Sequence, residues 1–398
     1  MKLEPIIQSL LDTDLYKFNM NQVMFHKHTD LTGEYVFKCR NENVVFTKEM
    51  FEEINAQIDH LCTLKFKKSE LDYLRNIRFI KNDYVEFLRL WHPLRDYVTT
   101  SLTEKGELNI HVNGPLFSAM QFEIYLLEIV NEVYFRFQYD YEELLQSARV
   151  KLEQKIKDFE NGKYTFKFAE FGCRRRLSRS WHEEVIKRFV ESKNCIGTSN
   201  VYYAMKYNIK PIGTYAHEFV QMYQGITRIP LAYTNYYAMK DWFAEYNGDN
   251  GTALTDTLTT DLFLLDFDYL QASTYTGLRH DSGDPFVWGD KILSHYKKLG
   301  IDAKNKTLLF SDGLDFDKAE EIYNYFKDRC KVTFGIGTYC SNDTCVEPLN
   351  IVIKLQYVNG LPVAKLSDVP GKTMCSDEVF LKYLKSSVNY RLQSENRQ

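Results

Sequence analysis

At 398 residues, with 44% hydrophobic and 26% charged residues, the chain has material for two or three domains and for a core that needs no disulfide staples, which excludes a largely disordered or disulfide-built protein. Its formal net charge of -4 excludes a general nucleic-acid binder, because sequence-independent phosphate binding needs a concentrated basic footprint. No stretch approaches the roughly 20 apolar residues that cross a bilayer, Met1-Lys2-Leu3-Glu4-Pro5 has no apolar signal core, and the eight cysteines show no zinc spacing, so a cytoplasmic protein with reduced thiols is expected.

In chain order, Asp12-Thr13-Asp14-Leu15-Tyr16-Lys17 reads as a helix start with Asp and Thr as caps, and Tyr16 there can stack on a planar ring. Alternation at Tyr35, Phe37 and Cys39, and again at Leu108, Ile110 and Val112, predicts strands, with a helix over Met50 to Leu61 between them. Residues 1–115 are therefore expected to form an N-terminal α+β domain. Beyond Pro115, Met120, Ile124, Leu127, Val130 and Tyr134 share one helical stripe and predict a buried helix, while Tyr141 to Phe159 predicts a charged, partly exposed one.

From Tyr164 the pattern becomes short apolar strand, polar or glycine-rich loop, then helix, with strands near Phe166, Cys195, Lys210, Ala253, Thr276, Thr307 and Val332. About seven such units over 116–350 predict an irregular α/β barrel; an open doubly wound sheet is the alternative, and either delivers ligands to the carboxyl ends of its strands. Ile351 to Leu366 alternates about Asn359-Gly360 as a β-hairpin, which is expected to return residues 351–398 to the N-terminal domain, with the chain frayed after about Asn389.

The strand ends carry the chemistry. Phe171-Gly172-Cys173-Arg174-Arg175-Arg176 offers guanidinium forks suited to phosphate or carboxylate, although three adjacent arginines also fit a basic helix start paired with surface acids. Adjacent side chains diverge, so only one or two of the three can reach one ligand. Ile196-Gly197-Thr198-Ser199-Asn200 and Gly335-Ile336-Gly337-Thr338 permit close backbone approach and form phosphate cradles or ordinary βα turns. Ser311-Asp312-Gly313 is a third polar turn after an apolar run.

Gly213-Thr214-Tyr215-Ala216-His217-Glu218 follows the strand-like Lys210-Pro211-Ile212. A single histidine is more often a satisfied core residue, but His217 faces several anion-binding loops and can accept a phosphoryl group on nitrogen or act as a general base. His182, within the helical run Ser180 to Phe189, is expected at the surface or behind the site, and His280 can contact a ligand. In Arg279-His280-Asp281-Ser282-Gly283-Asp284-Pro285, Arg279 can hold an anion and Asp281 can bind ribose hydroxyls or stabilise positive charge on a sugar ring. Ser282 and Asp284 fit helix caps.

Taken together, Thr13-Asp14-Leu15-Tyr16-Lys17, Phe171-Gly172-Cys173-Arg174-Arg175-Arg176, Gly197-Thr198-Ser199-Asn200, Gly213-Thr214-Tyr215-Ala216-His217-Glu218, Arg279 to Pro285, Ser311-Asp312-Gly313 and Lys365-Leu366-Ser367-Asp368-Val369-Pro370-Gly371-Lys372 resemble the nicotinate phosphoribosyltransferase family, in family order and over nearly the whole chain. The resemblance implies the type II phosphoribosyltransferase barrel with its N-terminal α+β domain. It implies transfer of phosphoribose from phosphoribosyl pyrophosphate to nicotinate, coupled to ATP hydrolysis and aided by magnesium, in NAD salvage.

By that likeness His217 would be a phosphohistidine, Tyr16 and Phe171 would sandwich the pyridine ring, and Arg279 would hold the nicotinate carboxylate or a nearby phosphate. Arg174 would bind the phosphoribosyl group and Asp281 its ribose, with Gly313, Gly335 and Gly337 lining the 5′-phosphate cradle. Ser199 stands where nicotinamide-using relatives place an acid, which favours a carboxylate-bearing base. Cys173, where a hydroxyl residue is common, and Phe219, where Trp is common, are the departures. No magnesium ligand is assigned, and a homodimer is expected if Tyr16 is exchanged between subunits. Rival readings are a nicotinamide phosphoribosyltransferase, a barrel aldolase or phosphatase acting on sugar phosphates, and a non-catalytic sensor of phosphorylated metabolites.

Overall fold

The computed structural model describes residues 3–395, and its strands divide between two sheets. β1 (Thr32–Cys39), β2 (Val98–Leu102) and β3 (Leu108–Pro115) come from the N-terminal third. β4 (Phe168–Glu170), β5 (Cys195–Thr198), β6 (Thr252–Leu254), β7 (Gly277–His280), β8 (Thr307–Phe310) and β9 (Lys331–Ile336) follow, each separated from the next by helix. β10 (Ile351–Val358) and β11 (Leu361–Pro362) close the series.

The six middle strands form one parallel sheet in the order β5-β4-β9-β8-β7-β6. Covered by helices, such a sheet is apolar on both faces, and all three residues of β4 are buried. On one of its faces Phe310 and Phe334, from neighbouring strands, stack with ring centroids 5.9 Å apart, and Phe166 meets Phe334 edge-on at 5.0 Å. Each such ring contributes about 1.5–3 kcal/mol by burial. The seventh expected strand, near Lys210, is a single parallel bridge between Thr198 and Pro211. Thr198 donates its N–H to Lys210 O and accepts from Ile212 N, and Pro211 has no N–H with which to extend a ladder.

The antiparallel sheet runs β11-β10-β1-β3-β2, so the C-terminal hairpin returns to the N-terminal strands as expected. Its turn is Asn359-Gly360, both at positive φ (51° and 71°), the conformation that a two-residue hairpin turn requires. The second strand stops at Pro362, earlier than the alternation to Leu366 suggests. From there the chain crosses to the parallel sheet: Ala364 N–H donates to Gln224 and Leu366 N–H to Thr257 O.

The tail departs from expectation at two points. The helix Glu378–Glu395 packs Leu384 and Val388 against Leu258 and Leu262 on the parallel-sheet side, not against the antiparallel sheet. It also continues past Asn389, because Arg391 is anchored on Asp266 and on Ala232 O; residues 396–398 lie outside the described region. At the other end of the chain, the helix Leu15–Lys27 sits against the parallel sheet's loops, with Leu15 N–H on Ser199 O and Val201 N–H on Thr13 O. All eight cysteines carry free thiols, and among the described residues no helix is long and apolar enough to cross a membrane.

Candidate active site

The loops at the carboxyl ends of the parallel strands, the start of the Leu15–Lys27 helix and one face of β10 enclose a cavity of about 860 Å³. That volume suits a nucleotide-sized ligand. Ten residues expected at the site from the sequence line it: Tyr16, Phe171, Arg174 and Ser199 on one side, His217, Arg279 and Asp281 in the middle, and Gly313, Gly335 and Gly337 at the far turns.

His217 is the first residue of the helix His217–Met222, five residues beyond the last hydrogen bond of the Lys210–Ile212 segment. Its Nε2 lies 2.8 Å from Asp256 Oδ1 and 3.6 Å from Asp281 Oδ2. Asp256 follows β6 directly, and its other oxygen accepts from Ser282 Oγ at 2.5 Å and faces Lys365 Nζ at 3.1 Å. Burial, then the Lys365 charge, lowers the His217 pKa below the usual imidazole value, against the pull of Asp256 and Asp281. Burial alone would raise Asp256, but its contacts with His217 and Lys365 hold it well below the ordinary carboxylate range. At neutral pH the pair is thus a neutral imidazole with its proton on Nε2, facing an aspartate, and a lone pair on Nδ1.

Arg279 on β7 donates from Nε to Ser311 Oγ at 2.7 Å and from Nη2 to Asp281 Oδ1 at 3.1 Å. Ser311 Oγ is also 3.0 Å from Asp281 Oδ1, so one oxygen of Asp281 is doubly held while Oδ2 accepts no hydrogen bond among the described residues. Burial opposes ionisation of Asp281, but Arg279 and His217 bring its pKa down.

The three arginines divide as their directions demand. Arg174 lines the cavity with only a distant carboxylate, Glu123 Oε1 at 3.9 Å. Arg175 also reaches the cavity, held by Ile351 O and Asn350 Oδ1; burial, with Arg174 and Arg40 beside it, pushes its pKa down to about 10. Arg176 turns away and is fully buried in a bidentate pair with Asp12, at 2.6 and 3.0 Å. Asp12 is therefore an ion-pair partner, not a cap, and Asp14, at the cap position, makes no side-chain cap bond.

Gly335 and Gly337 line the cavity where Phe171 comes closest to them. A Cβ on Gly335 would collide with the Phe171 ring, and one on Gly337 would lie 3.0 Å from Phe171 O, so both make room for the aromatic wall. Gly313, at φ +57° with open space around it, is the turn glycine of the set. Asp284 caps the helix Pro285–Lys298, whereas Ser282 serves Asp256 instead.

Of its two expected places, at the surface or behind the site, His182 takes the second, fully buried 3.1 Å from Glu170, and only His280 falls elsewhere than expected. His280, the last residue of β7, packs against Trp288 and Phe310 and lies outside the cavity lining, because its strand turns it to the opposite face from Arg279. Sequence reasoning missed Asp256, although Thr255-Asp256-Thr257 stands at a strand end like the other clusters. It also left Lys354, whose pKa burial pushes down to about 8, and Lys365 and Lys372 without a role.

A parallel sheet whose loops bring guanidinium groups, tight glycine turns and a carboxylate-held imidazole to one cavity defines an α/β protein with an anion-binding site at the carboxyl edge of its strands. The profile of the nicotinate phosphoribosyltransferase (NAPRTase) family matches residues 166–392, and that of the family's N-terminal domain matches residues 11–131. Nicotinate phosphoribosyltransferases of Chromobacterium violaceum and Acinetobacter baylyi are each 48% identical over 395 residues, covering 96% and 97% of this chain and 97% of their own lengths. The crystal structure of nicotinate phosphoribosyltransferase from Vibrio cholerae superposes with a TM-score of 0.90 at 36% identity, covering 100% of this chain and 98% of that one. A putative nicotinate phosphoribosyltransferase from Saccharomyces cerevisiae gives 0.90 at 34% identity, covering 98% of this chain and 100% of its own. The chain belongs to the nicotinate phosphoribosyltransferase family.

Proposed function

We propose that the protein transfers the phosphoribosyl group of phosphoribosyl pyrophosphate to the ring nitrogen of nicotinate, giving nicotinate mononucleotide and pyrophosphate, and that ATP drives the reaction by phosphorylating His217. The observation that carries this reading is the His217 imidazole, 2.8 Å from Asp256 Oδ1, in the same cavity as Arg174, Arg279 and the Tyr16–Phe171 walls.

With Nε2–H donated to Asp256, the Nδ1 lone pair attacks the terminal phosphorus of ATP and ADP leaves with the bond electrons; Asp256 stabilises the positive charge that develops on the ring. In the transfer step the bond from C1 of the ribose to pyrophosphate breaks, the pyrophosphate takes the electron pair, and the pyridine nitrogen supplies a new pair to C1. Positive charge on the sugar is met by the ionised Asp281, and negative charge on the departing group by Arg174 and Arg175. Tyr16 and Phe171 hold the base by stacking, and Arg279 offers a guanidinium to its carboxylate or to a nearby phosphate. Burial raises the pKa of the Asp14 carboxyl, against hydrogen bonding from Ser199 and the Arg174 charge.

Magnesium fits the donor set. Both Asp256 oxygens are engaged, but Asp281 Oδ2 is a hard oxygen ligand without a hydrogen-bond donor among the described residues, and magnesium takes one or two such carboxylates together with phosphate oxygens. When bound, the ion would neutralise charge on the leaving pyrophosphate.

The test is a coupled assay of ADP, pyrophosphate and mononucleotide with nicotinate or nicotinamide as the base. Nicotinate-dependent release of all three and acid-labile phosphate on the protein, absent in His217→Ala, are the expected results. A His217→Ala protein that kept full ATP coupling would remove the phosphohistidine, and equal turnover of nicotinamide would remove the assigned specificity.

A further inference from the structure

Beneath the cavity wall, the Lys17 ammonium is fully buried, 2.6 Å from Glu123 Oε2 and in a closer hydrogen bond with Glu218 Oε1. One cation thus joins three helices, Leu15–Lys27, Phe122–Gln138 and His217–Met222. Glu123 and Glu218 line the cavity themselves, and Lys17 lies behind it. Lys17 follows Tyr16, Glu218 follows His217, and Glu123 faces Arg174.

Successive residues on a helix point about 100° apart, so Tyr16 can enter the cavity while Lys17 turns behind it to meet Glu218. The two backbones also touch. A Cβ on Gly213 would lie 3.0 Å from Tyr16 N, and Asn19 Nδ2 donates to Gly213 O at 2.9 Å. The loop leading to His217 and the helix bearing Tyr16 therefore pack as one unit, pinned by the Lys17 charge. A buried ion cluster is a poor source of stability, since apolar groups of similar volume often do as well or better. This one calls for a reason other than stability.

We infer that Lys17 is a positioning residue: through Glu218 it holds the base-stacking ring of Tyr16 and the imidazole of His217 in one frame, so that a bound pyridine carboxylate and phosphorylation at His217 are coupled. The inference rests on the function proposed above.

Glu218→Gln keeps an acceptor for Lys17 Nζ, removes the charge, and leaves Lys17 paired with Glu123. ADP released and mononucleotide formed are measured together in the full-length protein, with nicotinate and phosphoribosyl pyrophosphate. Weakened folding lowers both by the same factor and leaves their ratio unmoved; loss of positioning raises ADP released per mononucleotide. The expected rise is about tenfold, within the range of ordinary coupling between sites, with an increase in KM for nicotinate. If Glu218→Gln does not fold, the double variant Lys17→Met, Glu218→Gln, which removes one charge of each sign and keeps Glu123 facing Arg174 and Lys354, is read by the same ratio. A wild-type ratio in a folded, active variant overturns the role of Lys17 alone. A wild-type protein that forms no mononucleotide, or forms it without releasing ADP, overturns the proposed function and this coupling with it.

Discussion

Asp256 and Lys365 set the state of His217 from opposite directions, the carboxylate favouring the imidazolium and the ammonium disfavouring it. Burial and Lys365 together leave the folded pKa below the unfolded value of about 6.5. The unfolded chain therefore takes up this proton first as pH falls, and the group's contribution to stability declines below about pH 6.5. Phosphorylation of His217 needs the neutral ring, so its rate falls as pH drops through the folded pKa. Lys365→Met is expected to move that acid limb up by about one pH unit and Asp256→Asn to move it down, the latter with a roughly 100-fold slower reaction. Rates of acid-labile phosphate incorporation between pH 5 and 8 check both signs. His217 was legible in the sequence because it stands beside glycine at a strand-to-helix turn. Asp256 was not, because it lies 39 residues away and only the return of β6 to the sheet brings it to Nε2. Likewise, nothing local separates Arg176, which pairs with Asp12, from Arg174 and Arg175.

Among the elements, β9 shows how a strand end makes room for a cavity wall. Gly335 lies where any side chain would press into the Phe171 ring, across the ladder that pairs Ala169 with Gly335. Gly335→Ala is expected to cost about 1–3 kcal/mol through overpacking and to raise KM for nicotinate more than it lowers kcat, because the displaced ring is the stacking partner. Denaturant titration and steady-state kinetics read the two effects separately. The parallel strands could be placed from short apolar runs bounded by polar turns, and the buried 122–138 helix from its apolar stripe. The segment at Lys210 could not be ranked among them, since its reduction to one bridge follows from Pro211 and from its place at the sheet's edge. The reason for Gly335 was equally hidden. A glycine beside hydroxyls reads as a phosphate turn unless the neighbour across the sheet is known.

Across the molecule, the last part of the chain ties the two sheets together. β10 pairs with β1, the following segment carries Lys365 to Asp256 and Lys372 to Asp312, and the final helix is fastened by Arg391 to Asp266 at 2.6 Å. The Arg391 guanidinium also sits 3.8 Å over the Tyr233 ring. Arg391→Met leaves Asp266 buried without a counter-charge and is expected to lower unfolding free energy by about 3 kcal/mol. Faster amide exchange over residues 365–374, read by mass spectrometry, would show that the strap loosens with its anchor. The hairpin's return was legible from Asn359-Gly360, but the helix docking was not, because Arg391 looks like any other charge near a terminus until Asp266 is placed opposite it. Order of synthesis gives this late closure a consequence. A chain still emerging from the ribosome can complete its six parallel strands while β1 lacks a neighbour on one edge and Asp256 lacks its lysine. Until residues 351–372 have left the exit tunnel, His217 is without the cation that adds to burial in disfavouring its protonation, and the nascent chain carries an open strand edge for chaperones to shield.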